Sequence, residues 1–118
     1  MEKTITWKIF TAYILLIIFM LIANQTFAQV TVTHYNAEWN KANDVKWLNK
    51  LSDCNITKVD IAKKPKQQTK HKIVVVPTII IFKDGEEVKR FQADISFTMK
   101  ATREELQDII NEQLMSDF

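Results

Sequence analysis

The chain has 118 residues, with 16 lysines and arginines against 14 aspartates and glutamates, and a net charge of +2. A charge so close to zero gives no electrostatic basis for nucleic-acid binding, and we expect no nucleic-acid partner. The single cysteine, Cys54, excludes an intramolecular disulfide. Cys54, His34 and His71 are too scattered for a zinc site, so we expect neither a metal nor a cofactor.

The first 28 residues have the pattern of a secretory signal peptide. Lys3 and Lys8 precede an apolar stretch over residues 9–23, and Thr26-Phe27-Ala28 resembles a small-residue cleavage site. We expect cleavage after Ala28 and a mature protein in the periplasm or secreted. The alternative is an uncleaved anchor that faces the periplasm, but the apolar stretch is shorter than the roughly 20 residues that a spanning helix needs. Only an uncleaved leader would give the protein a membrane partner.

Alternation and helical spacing predict the elements that follow. Residues 30–35 alternate β-branched with other side chains and predict a strand. Residues 40–51 place apolar side chains at helical spacing and predict an amphipathic helix, with Asn40 as its N-cap. Residues 56–61 predict a second strand.

The second half predicts a hairpin and a closing helix. Residues 63–72 form a polar loop or short helix, and residues 78–82 and 87–92 predict strands joined by the turn Asp84-Gly85. Residues 94–100 predict a loop in which two apolar side chains, Phe97 and Met99, look exposed. A capping box over residues 102–105 opens the last helix. The order of elements predicts an α/β fold with a mixed sheet of about four strands and flanking helices.

Three motifs in register give a resemblance to a known family. They are Ala37-Glu38-Trp39 followed by Asn40-Lys41-Ala42-Asn43, then Val76-Pro77-Thr78, and finally the turn Phe82-Lys83-Asp84-Gly85-Glu86. From about residue 30 to residue 114 the chain resembles the thioredoxin family. The resemblance implies a minimal thioredoxin fold in a single domain over residues 29–118.

By the same resemblance, Asn40 and Asn43 stand at the positions of the family's two active-site cysteines. An amide can neither attack a disulfide nor resolve a mixed disulfide, so we expect no catalytic residue here. His34 stands where thioredoxins keep a buried aspartate. A structural, hydrogen-bonded histidine is the preferred interpretation, and a proton-transferring base is the alternative.

The resemblance also implies a peptide-binding groove formed by Trp39, Val76 and Pro77. In thioredoxins the backbone before a cis-proline pairs with an extended substrate peptide, and Val76 fills that position here. Such pairing uses main-chain groups and needs no cysteine. The expected partner is a protein or an extended peptide segment, and a basic run over residues 63–72 allows that it is acidic. The alternative is that Pro77 is kept only as a folding constraint.

These observations favour a non-catalytic binding module of the cell envelope. The competing hypothesis is a thiol–disulfide oxidoreductase in redox homeostasis, acting through Cys54 or a partner's thiol. A third is a structural subunit of an envelope complex. The predicted 12-residue helix would put Cys54 nearly 20 Å from Asn40, which favours an inert cysteine over a reactive or intermolecularly paired one.

Overall fold

The structure is a computed structural model that describes residues 2–23 and 29–116. Helix α1 covers Glu2–Ala23. In these two ranges no helix is long and apolar enough to cross a membrane. The cleavage site predicted after Ala28 lies outside the described residues.

A four-stranded sheet in the order β2-β1-β3-β4 forms the centre of the fold. Strand β1 (Val30–Asn36) pairs in parallel with β2 (Asn55–Asp60) on one side. On its other side β1 pairs antiparallel with β3 (Thr78–Lys83), which forms a hairpin with β4 (Glu86–Gln92). The sequence-predicted α/β class and mixed four-stranded sheet are confirmed.

Each face of the sheet carries its own apolar cluster because side chains alternate along a strand. Ile79 and Ile81 of β3 point to one face, and Ile80 between them points to the other. The first cluster contains Val30, Val32, Val45, Leu48, Leu51, Ile79, Ile81, Leu106 and Ile110. The second contains Tyr35, Ala37, Ile61, Ile73, Val76 and Ile80.

Helix α3 (Arg103–Met115) packs on the first cluster through Leu106 and Ile110, which are fully buried. The Oγ1 atom of Thr102 accepts a hydrogen bond from the Glu105 amide at 3.2 Å, so the predicted N-cap is confirmed. This bond satisfies one of the amides that a helix start otherwise leaves unpaired.

The predicted amphipathic helix over residues 40–51 is wrong. Two short 3₁₀ helices, Glu38–Asn43 and Leu48–Lys50, occupy this stretch, and Asp44 between them is extended with ψ 140°. The Asn36 amide donates to the Asp44 carboxylate, and the Asn43 amide donates to Asn40 Oδ1. Asn and Asp side chains that hydrogen-bond locally compete with helical backbone bonds, and this competition ends the helix.

The spacing of apolar residues nevertheless identified the buried positions of this stretch. Val45, Leu48 and Leu51 all belong to the first cluster. Asn40 does not cap a helix, because the cap position is taken by Ala37 and Asn40 lies inside the first 3₁₀ helix. Met99, expected to be exposed, packs against the first cluster.

The remaining predicted elements agree with the structure. The polar stretch over residues 63–72 contains helix α2 (Pro65–Lys70). The peptide bond between Val76 and Pro77 is cis. The hairpin turn has two left-handed residues, Asp84 with φ 52° and Gly85 with φ 86°. Positive φ at both central residues is the signature of the Asp-Gly hairpin turn.

Replacing Gly85 by alanine tests the conformational requirement of this turn. A Cβ at Gly85 would meet no atom within 4 Å, so steric contact with other residues adds nothing to the cost. We expect Gly85→Ala to lower the free energy of unfolding by about 1 kcal/mol, because a left-handed φ is unfavourable for alanine. Urea unfolding measures the change, with the exposed Glu86→Ala as control. An equal stability of the two variants would contradict this account of the turn.

Candidate functional site

The candidate site lies at the end of the two central strands, where β1 ends and β3 begins, and we call this end the edge of the sheet. Tyr35 of β1 pairs with Thr78 of β3, so Asn36, the last residue of β1, lies beside the Val76-Pro77 peptide, and the chain leaves the sheet at Ala37. The first 3₁₀ helix starts immediately afterwards and brings Trp39 and Asn40 to the same edge. The sequence-predicted residues Trp39, Asn40, Asn43, Val76 and Pro77 are therefore brought together.

The side chain of Asn40 is buried, with 5% of its surface exposed, and both ends of its amide are used. Its Nδ2 lies 3.1 Å from Asn36 Oδ1, 3.3 Å from the Val76 carbonyl oxygen and 3.5 Å from the Phe97 carbonyl oxygen. Its Oδ1 accepts from Asn43 Nδ2 at 2.8 Å. The NH2 group has two hydrogens for these three acceptors, and the contact to Phe97, which is the longest, is the weakest.

Asn36 extends this network to the next turn of the chain. Its Nδ2 donates to the Asn40 carbonyl oxygen at 3.1 Å and to the carboxylate of Asp44. We call Asn36, Asn40 and Asn43 the asparagine network. Amides supply neutral donors and acceptors but no nucleophile, so the network positions backbone and carries out no thiol chemistry.

Trp39 is exposed beside the network, with 67% of its surface accessible. Its ring meets the ring of Phe97 edge to face, with centroids 5.3 Å apart and an interplanar angle of 89°. Val74 and Ile95 are more than four-fifths exposed. Val74 lies two residues before Val76, and Ile95 lies two residues before Phe97. Val74 and Ile95 therefore add exposed apolar side chains close in sequence to Val76 and Phe97.

The main chain of Val76 is not accessible at this edge. Only 3% of Val76 is exposed, and its carbonyl oxygen accepts from Asn40. Pro77 is also buried, and its carbonyl oxygen accepts from the Ala93 amide at 3.0 Å. Of the three residues predicted to form a groove, Trp39 alone faces solvent. The binding role of the three stays a prediction.

Asp94 organises the loop that carries Phe97. Its Oδ1 accepts from the Ser96 hydroxyl, from the Ser96 amide at 2.9 Å and from the Thr98 amide at 3.3 Å. Hydrogen bonds from Ser96, followed by those from Thr98 and the charge of Lys100, lower the pKa of Asp94 to about 2. Phe97 has a φ of 61°, which costs a bulky side chain about 1–2 kcal/mol.

His34 is buried behind the asparagine network and is hydrogen-bonded, as the preferred interpretation expected. Its Nε2 accepts from the Val45 amide at 3.3 Å and lies 4.0 Å from the Asp44 carboxylate. Burial lowers the pKa of His34 from its ordinary value of 6.5, and the positive charge of Lys58 acts in the same direction against Asp44. The histidine lines an open cavity of about 250 Å³ together with Asp44 and Lys58.

Cys54 lies far from the site. It directly precedes β2, whose first residue, Asn55, pairs with Thr31 near the start of β1, whereas the site lies beyond Asn36 at the end of β1. A strand advances about 3.3 Å per residue, so the thiol is close to 20 Å away along the strand direction. The thiol is half-buried, and burial, followed by the charge of Asp53, raises its pKa. Because the thiolate is the reactive form, the raised pKa of Cys54 lowers its reactivity.

The basic run approaches the site without entering the asparagine network. Lys63, Lys64, Lys66, Lys70 and Lys72 are exposed. The ring of His71 instead packs between the rings of Tyr35 and Phe82, at centroid distances of 5.6 and 5.4 Å. Within residues 2–23 and 29–116, no group of three or more His, Cys, Asp or Glu side chains could hold a metal ion.

Comparison with known proteins identifies the family. The thioredoxin family profile matches residues 38–112, which is more than half of the chain. The chain belongs to the thioredoxin family. Because the whole sequence has one cysteine, this family member has no CxxC pair. No curated protein is significantly similar to the chain.

Solved thioredoxins share the fold at low sequence identity. A mutant thioredoxin from Halobacterium salinarum is 21% identical, with a TM-score of 0.59, covering 73% of this chain and 75% of its own. The Schistosoma mansoni thioredoxin is 24% identical, with a TM-score of 0.57 and coverages of 80% and 85%. The Fasciola hepatica thioredoxin is 25% identical, with a TM-score of 0.54 and coverages of 72% and 81%.

Two residues of the site were missed by sequence reasoning. Asn36 reads as the end of a strand, and its signal was a third asparagine close to Asn40 and Asn43. Phe97 was noted only as an apolar residue in a loop. Nothing in the sequence indicated that the loop folds back to Trp39 and places a carbonyl oxygen near Asn40.

Removing the Asn40 side chain tests the network. We expect Asn40→Ala to lower the free energy of unfolding by about 1–3 kcal/mol, because the buried side chain of Asn36 and the partly buried side chain of Asn43 lose a partner. Urea unfolding measures the loss, and the exposed neighbour Lys41→Ala serves as the control. If Asn40→Ala were as stable as the control, the network would not stabilise the fold.

The buried His34 predicts a pH dependence of stability. His34 stays neutral down to a lower pH in the folded protein than in the unfolded chain. The unfolded state therefore binds more protons on acidification. We expect the free energy of unfolding to fall between about pH 7 and about pH 5. His34→Gln should make that slope shallower in urea titrations. A wild-type slope that persists in His34→Gln would assign the effect to another group.

Proposed function

We propose that this protein is a binding module of the thioredoxin fold that has no oxidoreductase activity. In this proposal it is exported, and it holds an extended segment of another protein beside Trp39. The observation that carries the proposal is the buried, fully hydrogen-bonded amide of Asn40 next to an exposed tryptophan. The buried Asn40 side chain stabilises the fold, and the exposed ring of Trp39 beside it is available to contact a partner.

The chemistry of the site supports the binding role over the enzyme. Thiol–disulfide exchange by a family member alone needs an attacking thiolate and a resolving thiol, and this chain has one cysteine. That cysteine has a raised pKa and lies at the other end of the sheet. Exposed tryptophans beside a recessed backbone are typical contact points for a partner.

The location and the partner's charge belong to the proposal as well. The basic first residues, the apolar stretch and Thr26-Phe27-Ala28 support export to the periplasm or the exterior. The exposed lysines over residues 63–72 support an acidic segment in the partner, because they lead along the chain towards Val76.

A disulfide-reduction assay tests the absence of activity. With insulin and a thiol reductant, we expect the full chain to give the background rate, and Cys54→Ser to give the same rate. Asn40→Cys combined with Asn43→Cys supplies a chain with two vicinal thiols for comparison. Catalysis by the unchanged protein that disappears in Cys54→Ser would contradict the proposal and support the oxidoreductase.

Selection of displayed random peptides on the full chain tests the binding role. We expect selected peptides to lose about tenfold or more in affinity for Trp39→Ala, as is usual for a central tryptophan. The matched control is Met115→Ala, which removes a similarly exposed apolar side chain at the end of α3. Peptides that respond equally to both variants, or a selection that yields no ligand, would contradict binding at Trp39.

A further inference from the structure

The loop over residues 94–100 is a separate small unit that contacts the site through one residue. Its hydrogen bonds run mainly within itself: Asp94 accepts from Ser96 and Thr98, and the Phe97 amide donates to the Asp94 carbonyl oxygen. Among the described residues, the one hydrogen bond that leaves this loop joins the Phe97 carbonyl oxygen to Asn40 Nδ2. The loop therefore holds its shape independently of the site.

The loop is anchored at both of its ends by contacts that do not involve Phe97. The Ala93 amide donates to the Pro77 carbonyl oxygen at 3.0 Å, and Met99 packs on the first apolar cluster. Between these anchors, Phe97 makes a 3.5 Å hydrogen bond and an edge-to-face ring contact, while Ile95 is 99% exposed. The attachment is thus weak in its middle and firm at its ends.

Phe97 makes one polar and one aromatic contact with the site. The Asn40 Nδ2 atom is within 3.5 Å of two carbonyl oxygens, one from Val76 and one from Phe97. The Phe97 ring and the Trp39 ring are in edge-to-face contact, and Val76 has almost no surface exposed. The Asn40 amide and the part of the Trp39 ring that Phe97 covers become accessible to a peptide only after Phe97 has moved away.

We infer that residues 94–100 act as an internal substitute for the ligand, and that the true ligand is an extended peptide whose aromatic side chain replaces Phe97 against Trp39. The inference rests on the proposed function, since it names the ligand class and the regulation of the same site. The ligand's carbonyl oxygen then accepts from Asn40 in place of the Phe97 carbonyl oxygen. The loop swings on its two anchors to admit it.

The experiment uses the full chain and two synthetic peptides with blocked ends. One has the sequence of residues 93–100, Ala-Asp-Ile-Ser-Phe-Thr-Met-Lys, and the other carries Phe97→Ala in that sequence. Calorimetry measures the affinity of both for the unchanged protein, for Phe97→Ala, and for the matched control Ile95→Ala in the same loop.

We expect the Phe97→Ala protein to bind the aromatic peptide about tenfold more tightly than the unchanged protein does. It should prefer that peptide over the alanine peptide by about the same factor. Ile95→Ala should behave as the unchanged protein. Equal affinity of Phe97→Ala for the two peptides, or no gain over the unchanged protein, would overturn the inference.

A second variant keeps the test decisive if Phe97→Ala does not fold, which thermal unfolding reveals. Asp94→Ala removes the carboxylate that accepts the hydrogen bonds within the loop, and it keeps the phenylalanine at residue 97. It should also raise the affinity for the aromatic peptide, and an unchanged affinity would overturn the inference.

If displayed peptides bind through Trp39 while the two synthetic peptides fail, the proposed function stands and this inference falls. If no peptide binds through Trp39 at all, the proposed function fails.

Discussion

The hydrogen bonding of one buried amide determines how the site is assembled. The Asn40 side chain joins the end of β1, the 3₁₀ turn, the cis-proline peptide and the loop that carries Phe97. An amide buried without partners would cost free energy, so these four parts must stay close together for the fold to keep its stability. Segments that are distant in sequence are held at one edge of the sheet in this way.

The same amide shows how a thioredoxin fold is stabilised at this position without a CxxC pair. A reactive thiol needs access to its substrate and an environment that favours the thiolate. Here the position next to Trp39 is closed and neutral, and every polar atom of the Asn40 side chain has a partner. Stability at this point comes from satisfied hydrogen bonds, and the exposed ring beside it is left to make contacts. The buried amide and the exposed ring thus belong to neighbouring residues.

Local signals predicted most of the fold, and long-range contacts determined what was missed. The four strands, the Asp84-Gly85 turn and the cap at Thr102 follow from alternation and turn chemistry within a few residues. The helix predicted over residues 40–51 failed because helical periodicity gave no information on the side-chain bonds that link Asn36, Asn40 and Asp44. Which residues of that stretch are buried was nevertheless correct.

The part of the candidate site that lies in sequence motifs could be predicted. Trp39 and the cis peptide before Pro77 were expected from three motifs in register, and the structure brings them together. The contact between Phe97 and Trp39 spans more than fifty residues and depends on a loop shape set by Asp94. No local pattern encodes such a contact, because the two residues lie far apart in the sequence.

Scarcity of glycine gives this chain an unusual distribution of backbone strain. Its one glycine is Gly85, so within residues 2–23 and 29–116 four other left-handed positions are filled by residues with a Cβ, namely Asp53, Lys72, Asp84 and Phe97. Each such position costs some conformational free energy that glycine would avoid. Lys72 lies away from the asparagine network, and its carbonyl oxygen, which glycine would keep, accepts from Arg90. Laboratory evolution for heat tolerance would therefore have an open route through Lys72, with Trp39 and the asparagine network left intact.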